Sequence, residues 1–121
     1  IAASGIMTAE ALDAAELLRA DGIDAEVLNF HTVKPFDEAL LIASAGKTGA
    51  VVSAENHSIL NGLGGAVAEC LSENRPVPLR RVGVRDHFGE VGLTEFLKEK
   101  YGLTAKDIAA AAKSAVAAKK G

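Results

Sequence analysis

The chain has one cysteine, no tryptophan, three prolines and only five aromatic residues in 121 positions. A single cysteine, Cys70, excludes an internal disulfide framework and any thiolate metal cluster. Five rings (Phe30, Phe36, Phe88, Phe96 and Tyr101) are too few for the stacking platforms that hold single-stranded nucleic acid. Basic excess is lacking too: 13 Lys+Arg stand against 16 Asp+Glu, a formal charge of -3. Nucleic acid is therefore not an expected partner. No apolar run approaches the length of a bilayer span, and no basic start precedes an apolar stretch. A soluble, cytoplasmic protein without membrane contact is expected. The chain opens at Ile1 without an initiating Met, which implies processing or a fragment boundary.

What is abundant is small. Twenty-three alanines and 12 glycines make up much of the chain, a composition suited to helices lying close against a sheet. A mass of 12.4 kDa fits one domain spanning residues 1–121. Surface scaling predicts about 6,100 Å² exposed when folded against about 18,000 Å² unfolded, so a core forms without staples.

Ile1 to Ser4 reads as the tail of a strand whose beginning lies upstream. Thr8 is placed to cap a helix carrying Ala11, Ala14, Ala15 and Leu18 inward, with Gly22 at its stop. Val27, Leu28 and Phe30 form a second strand. Asp37 caps a helix through Leu40, Leu41 and Ala45 to Gly46. Ala50 to Ala54 reads as a strand buried on both faces. From Gly62 a helix aligns Leu63, Val67, Cys70 and Leu71, before a strand from Leu79 to Val84. Leu93, Phe96 and Leu97 suggest a short helix closed by Gly102. Thr104 and Asp107 match a capping box opening a last helix with Ile108, Ala112 and Val116 inward. Lys119 and Lys120 suit that helix's negative end. Strands alternating with helices predict a three-layer α/β/α domain on a mostly parallel sheet.

In such sheets functional groups gather beyond the carboxyl ends of the strands. His31-Thr32, Glu55-Asn56-His57 and Asp86-His87 each follow a predicted strand, so all three histidines would share one rim. Imidazoles beside carboxylates suit acid–base work or a metal, yet no local ligand spacing such as HxxxH exists. No complete catalytic, cofactor or metal set emerges. Polar groups on a rim without chemistry are most simply partner-facing, which makes Glu55, His57, Asp86 and His87 candidate interface residues. Asn61-Gly62-Leu63-Gly64-Gly65 opens a helix after a strand, the setting in which backbone amides hold an anion. Position 67 is Val, so the full G-x-G-x-x-G spacing fails, and no P-loop Lys-Ser/Thr follows. Gly62, Gly64 and Gly65 remain a candidate anion site, set against the simpler reading that they let the helix approach the sheet. Cys70 lies on an apolar helix face as a small hydrophobe. Ser53 lacks the G-x-S-x-G elbow of a hydrolase, and Lys34 beside Pro35 reads as a solvated loop charge.

The same segments resemble a known family. Phe30-His31-Thr32-Val33-Lys34-Pro35-Phe36-Asp37 is similar to the His-Thr-(Ile/Val)-Lys-Pro-(Leu/Phe)-Asp stretch of transketolase C-terminal domains. Glu55-Asn56-His57, followed by Gly62-Leu63-Gly64-Gly65-Ala66-Val67-Ala68-Glu69, resembles that family's acidic-His and Gly-rich pattern. Val82 to Gly92 and Tyr101-Gly102-Leu103-Thr104 with Ile108 resemble its closing segments. The likeness covers nearly the whole chain in order.

The resemblance implies an α/β/α domain on a mixed sheet of about five strands, one of them antiparallel. Such domains follow a pyrimidine-binding domain in transketolases, 1-deoxyxylulose-5-phosphate synthases and the β chains of 2-oxo acid dehydrogenases. His-Thr before Lys-Pro looks most like transketolases encoded as two subunits. The resemblance thus implies part of a transferase that moves a two-carbon ketol unit between sugar phosphates, in pentose phosphate metabolism. Thiamine diphosphate and Mg²⁺ would serve the parent enzyme and be held by its other domains, since the GDG…Asn diphosphate–metal signature is absent here. Glu55 matches a C-domain motif, not the cofactor-activating glutamate. Expected partners are the remaining transketolase domains or the N-terminal subunit, in a homo-oligomeric parent. Two rivals stand beside this reading: a 2-oxo acid dehydrogenase β chain, and a regulatory module binding a phosphate-bearing ligand at Gly62, Gly64 and Gly65.

Overall fold

Neighbouring apolar residues that face opposite ways build the sheet. In a strand buried on both faces, successive side chains enter different cores. Ala2 joins one core and Ala3 the other, and Val51 and Val52 divide in the same way. The structure is a computed structural model describing residues 1–4, 7–30, 37–58, 62–84 and 102–119, with backbone alone for 56–58 and 84. Strands β1 (Ala2–Ser4), β2 (Leu28–Phe30), β3 (Val51–Ser58) and β4 (Leu79–Val84) form one sheet in the order β2-β1-β3-β4. Every pairing is parallel. The described residues therefore carry four parallel strands, and the antiparallel fifth implied by the resemblance is not among them. Parallel neighbours need crossovers, which α1 (Met7–Ala20), α2 (Glu38–Thr48) and α3 (Leu63–Asn74) provide, with α4 (Ala105–Ala117) completing the layers.

One core lies between the sheet and the α1/α4 pair, and the other between the sheet and the α2/α3 pair. The alanine excess goes into the first: Ala11 and Ala14 of α1 and Ala112 and Ala115 of α4 are buried there. Alanine at these positions lets helix backbones come close to the sheet, as the composition suggested.

Several local expectations hold in detail. Gly22 (φ +80°) ends α1 in a Schellman arrangement: the Ile23 amide donates to the Leu18 carbonyl at 2.9 Å and the Gly22 amide to Arg19 at 3.0 Å. Asp37 Oδ1 accepts from the Leu40 amide at 3.1 Å and caps α2. Thr104 and Asp107 form the reciprocal capping box, with bonds of 2.9 and 3.3 Å. Such a cap typically contributes about 1 kcal/mol.

Other expectations are corrected. Helix α1 begins at Met7, so Thr8 sits inside it and donates its hydroxyl to Asn29 Oδ1 at 3.1 Å. Gly46 lies within α2; the helix runs to Thr48 and stops at Gly49, whose φ of +77° is the left-handed conformation glycine allows. On α4, Val116 is 38% exposed while Ala115 turns inward, because a stripe of four-residue steps drifts off a 3.6-residue helix. Lys119 serves a different helix from the one expected, donating Nζ to the Thr48 carbonyl at the end of α2 at 2.9 Å. The predicted helix at Leu93, Phe96 and Leu97 lies outside the described residues, although Gly102 has a φ of +68°.

Cys70 packs in the α2/α3 core at 2% exposure. Burial pushes its thiol above the usual cysteine range. Thiolate is the reacting form, so labelling by a soluble disulfide reagent at pH 8 is expected to run about 100-fold slower on the native domain than in urea. Equal rates in the two conditions would show that α3 opens freely.

Candidate functional site

In the order β2-β1-β3-β4, the connection leaving β1 crosses one face of the sheet and that leaving β3 crosses the other. The carboxyl ends of β1 and β3 are therefore the switch point at which α/β sheets place ligands. The odd residues of β3 point toward α3. Ser53 and Glu55 are both fully enclosed there, Glu55 at 1% exposure. The sequence placed Glu55 and His57 in a loop after the strand. The structure instead continues β3 to Ser58, carried past a register shift by pairing of Ser58 with Val84.

Helix α3 starts behind this strand with an unusual deficit. Its N-cap is Gly62, in extended conformation and without a side chain to accept from the first amides. Those amides need an acceptor. Glu55 supplies one: its Oε2 accepts from the Gly64 amide at 2.6 Å, within the interior. A carboxylate at this position also meets the positive end of the helix dipole. The anion at the start of α3 is thus the protein's own side chain. Of the candidate anion site at Gly62, Gly64 and Gly65, the Gly64 amide is thus engaged within the domain.

Gly64 is also where three polar side chains converge. A Cβ built there would stand 2.8 Å from Arg81 Nε, 2.8 Å from Glu55 Oε2 and 3.1 Å from Ser53 Oγ. Only glycine admits this approach, so the close-packing reading of the motif is correct at Gly64. Arg81 escaped the sequence reading, although a signal existed in the Arg80-Arg81 doublet of an otherwise apolar strand. Strand alternation sends the two apart. Arg80 bonds Ser114 of α4 at 3.0 Å, while Arg81 lies beside Ser53 and faces α3. The Ser53 hydroxyl is buried and has no hydrogen-bond partner among the described residues.

His31, Asp86 and His87 lie outside the described residues, and of His57 only the backbone is described. Among the described residues no group of three His, Cys, Asp or Glu side chains could hold a metal. No described helix is long and apolar enough to cross a membrane. What this arrangement does chemically is structural: a buried carboxylate fixes the start of α3 against β3 and β4. At the Gly64 amide an added anion would meet the Glu55 carboxylate, of the same charge.

Comparison with known proteins agrees with this geometry. Residues 1–108 match the family described as transketolase, C-terminal domain. A 6-deoxy-6-sulfo-D-fructose transketolase subunit of Clostridium sp. (strain MSTE9) is 71% identical over 112 residues, covering 93% of this chain and 35% of that protein. A 1-deoxy-D-xylulose-5-phosphate synthase of Heliobacterium modesticaldum is 41% identical over 114 residues, covering 93% of this chain and 18% of that protein. A solved structure titled as a split-gene transketolase, inactive β4 tetramer, superposes with a TM-score of 0.92 at 54% identity. It covers 98% of this chain and 39% of the solved one. The chain spans about a third of the length of the curated transketolase subunit it matches.

Proposed function

The chain belongs to the transketolase C-terminal domain family, and from that premise we propose that it is the structural and subunit-docking domain of a thiamine-diphosphate-dependent transketolase whose active site is built by the enzyme's other parts. The observation that carries this reading is the Glu55–Gly64 bond. It commits the one glycine-rich helix start in the described residues to holding the domain together. Thiamine diphosphate supplies the carbanion chemistry of ketol transfer when bound in the parent enzyme, and the described residues here do not fit it. The parent's reaction is transfer of a two-carbon ketol unit between anionic sugars, most simply sugar phosphates of the pentose phosphate type. The 71% identity to a subunit named for 6-deoxy-6-sulfo-D-fructose favours a second reading, in which the ketose carries a sulfonate. Assay of the assembled enzyme with both ketoses separates the two. The β4 assembly named for the solved relative supports a homo-oligomeric parent, joined by an N-terminal subunit.

Calorimetric titration of this chain with thiamine diphosphate and Mg²⁺ is expected to show no binding, and a micromolar dissociation constant would overturn the assignment. The rim is proposed to face the partner. Losing one member of a buried charge pair costs about 2–5 kcal/mol of association, or roughly 30-fold and more in affinity. His57→Ala and Asp86→Ala are therefore expected to weaken association of the full subunit with its partner while leaving its melting temperature in place. Lost stability with unchanged association would make these residues core polar groups instead.

A further inference from the structure

Glycine follows an acid or its amide at two places in the chain, Asp21-Gly22 and Asn61-Gly62. Such pairs share one reactivity. The glycine nitrogen, with no side chain beside it, can attack the preceding side-chain carbonyl carbon and close a succinimide ring. Asn61 lies outside the described residues, whereas both members of the first pair are described.

Asp21 and Gly22 form the turn directly after α1. Space for the ring is there: Gly22 is exposed, and a Cβ built on it would meet nothing within 4 Å. The Asp21 side chain is 53% exposed, so the water that must leave and return reaches it. Two contacts oppose the attack. The Gly22 amide, which supplies the nucleophile, donates to the Arg19 carbonyl at 3.0 Å in the helix stop. The Asp21 carboxylate, which carries the carbon under attack, is paired through Oδ2 with Lys113 Nζ at 2.6 Å. Lys113 belongs to α4, so this second restraint holds only while α4 lies against α1. Both restraints are weak. A helix end opens locally long before its domain unfolds, and a pair this exposed holds its partner by about two- to fivefold.

We propose that Asp21 is a modification site of this domain, converting slowly to isoaspartate, and that Lys113 governs the rate. The Gly22 nitrogen bonds to Asp21 Cγ. The carboxyl group gives up one oxygen as water, which also carries off the amide proton. Return of one water to the succinimide then breaks either of two C–N bonds. Opening at Cγ regenerates aspartate, and opening at the main-chain carbonyl leaves isoaspartate, whose backbone is one carbon longer. Nothing is oxidised or reduced in either step. The added carbon falls within the turn whose amides bond Leu18 and Arg19, and the side-chain carboxylate is drawn in by one carbon. Isomerisation therefore loosens the end of α1 and its tie to α4 together.

The test ages the full-length subunit and its Lys113→Ala and Lys113→Arg variants at neutral pH. Isomerisation leaves the mass unchanged, so isoaspartate is read by enzymatic carboxyl methylation of the isolated peptide carrying Asp21. The peptide carrying Asn61 is read separately. Lys113→Ala is expected to accumulate isoaspartate at Asp21 about threefold faster than the parent, the reach of a surface ion pair, and Lys113→Arg at the parent rate. Urea removes both restraints and is expected to raise the parent's rate about 10-fold or more. Equal rates in the parent and Lys113→Ala overturn the control by Lys113. An arginine variant as fast as the alanine one overturns it too, since the charge would then not be what restrains Asp21. Absence of isoaspartate at Asp21 even in urea overturns the site itself.

Discussion

Gly64→Leu is expected to destabilise the domain by about 3–5 kcal/mol, and Gly64→Ala by about 2 kcal/mol. Helix propensity alone predicts the opposite sign, since glycine in a helix costs about 1 kcal/mol relative to alanine. The close contacts reverse it. A Cβ at this position meets Arg81 Nε and Glu55 Oε2 at 2.8 Å, well inside van der Waals distance. Glu55 cannot retreat cheaply, because it is buried and its Oε2 is held by the Gly64 amide itself. Overpacking costs about 1–3 kcal/mol, and weakening a hydrogen bond to a buried charge adds about 1.5–3 kcal/mol. Gly46 is the control. It also lies within a helix, but a Cβ there finds Arg75 no nearer than 3.7 Å, an ordinary contact. Gly46→Ala is expected to stabilise by about 0.5–1 kcal/mol. Urea midpoints at unchanged slope measure both. If the two alanine variants moved in the same direction, α3 would not be packed on the polar cluster.

Glu55→Ala is expected to cost about 3–5 kcal/mol, for a different reason. Removal of the carboxylate strands the Gly64 amide in the interior and takes a negative charge from the positive end of α3. The Arg81 side chain beside Gly64 loses a neighbour of opposite charge at the same time. Glu55→Gln keeps the shape and an oxygen acceptor while removing the charge, so a loss of about 1–2 kcal/mol is expected. The order Glu, then Gln, then Ala in thermal stability is the signature of a buried cap. An alanine variant within about 1 kcal/mol of the parent would sink that role. Subunit association, measured below the variants' melting temperatures, separates this internal role from a docking one. Because Glu55 has almost no accessible surface in the domain by itself, its loss should act through folding.

Features set by neighbours in sequence were legible without a structure. Asp37, Gly22 and the Thr104–Asp107 box each satisfy helix-end groups within a few residues, and all appear where the residue types predict. The bounds of β4 and the buried face of α3 were equally readable, because each depends on a local period. The family likeness was also legible, since its motifs follow one another along the whole chain. Two near-misses mark the limit of local rules. Gly46 and Gly49 both suit a helix stop, and Ala115 and Val116 both suit an inward face. Backbone conformation settled the first pair and packing of α4 on α1 and the sheet the second.

What only the tertiary structure decided was the use of the glycine-rich turn. By itself, Asn61-Gly62-Leu63-Gly64-Gly65 admits two readings, a close approach of helix to sheet and a cradle for an external anion. Parallel pairing of β3 with β4 lengthens β3, carries Glu55 inward, and sets its carboxylate against the Gly64 amide nine residues on. The same pairing brings Arg81 from β4 to that point. A helix start exposes the same amides whatever acceptor reaches them, so the local sequence could show the demand for an anion. The source of that anion depends on which strands the crossovers bring together, and no local pattern encodes it.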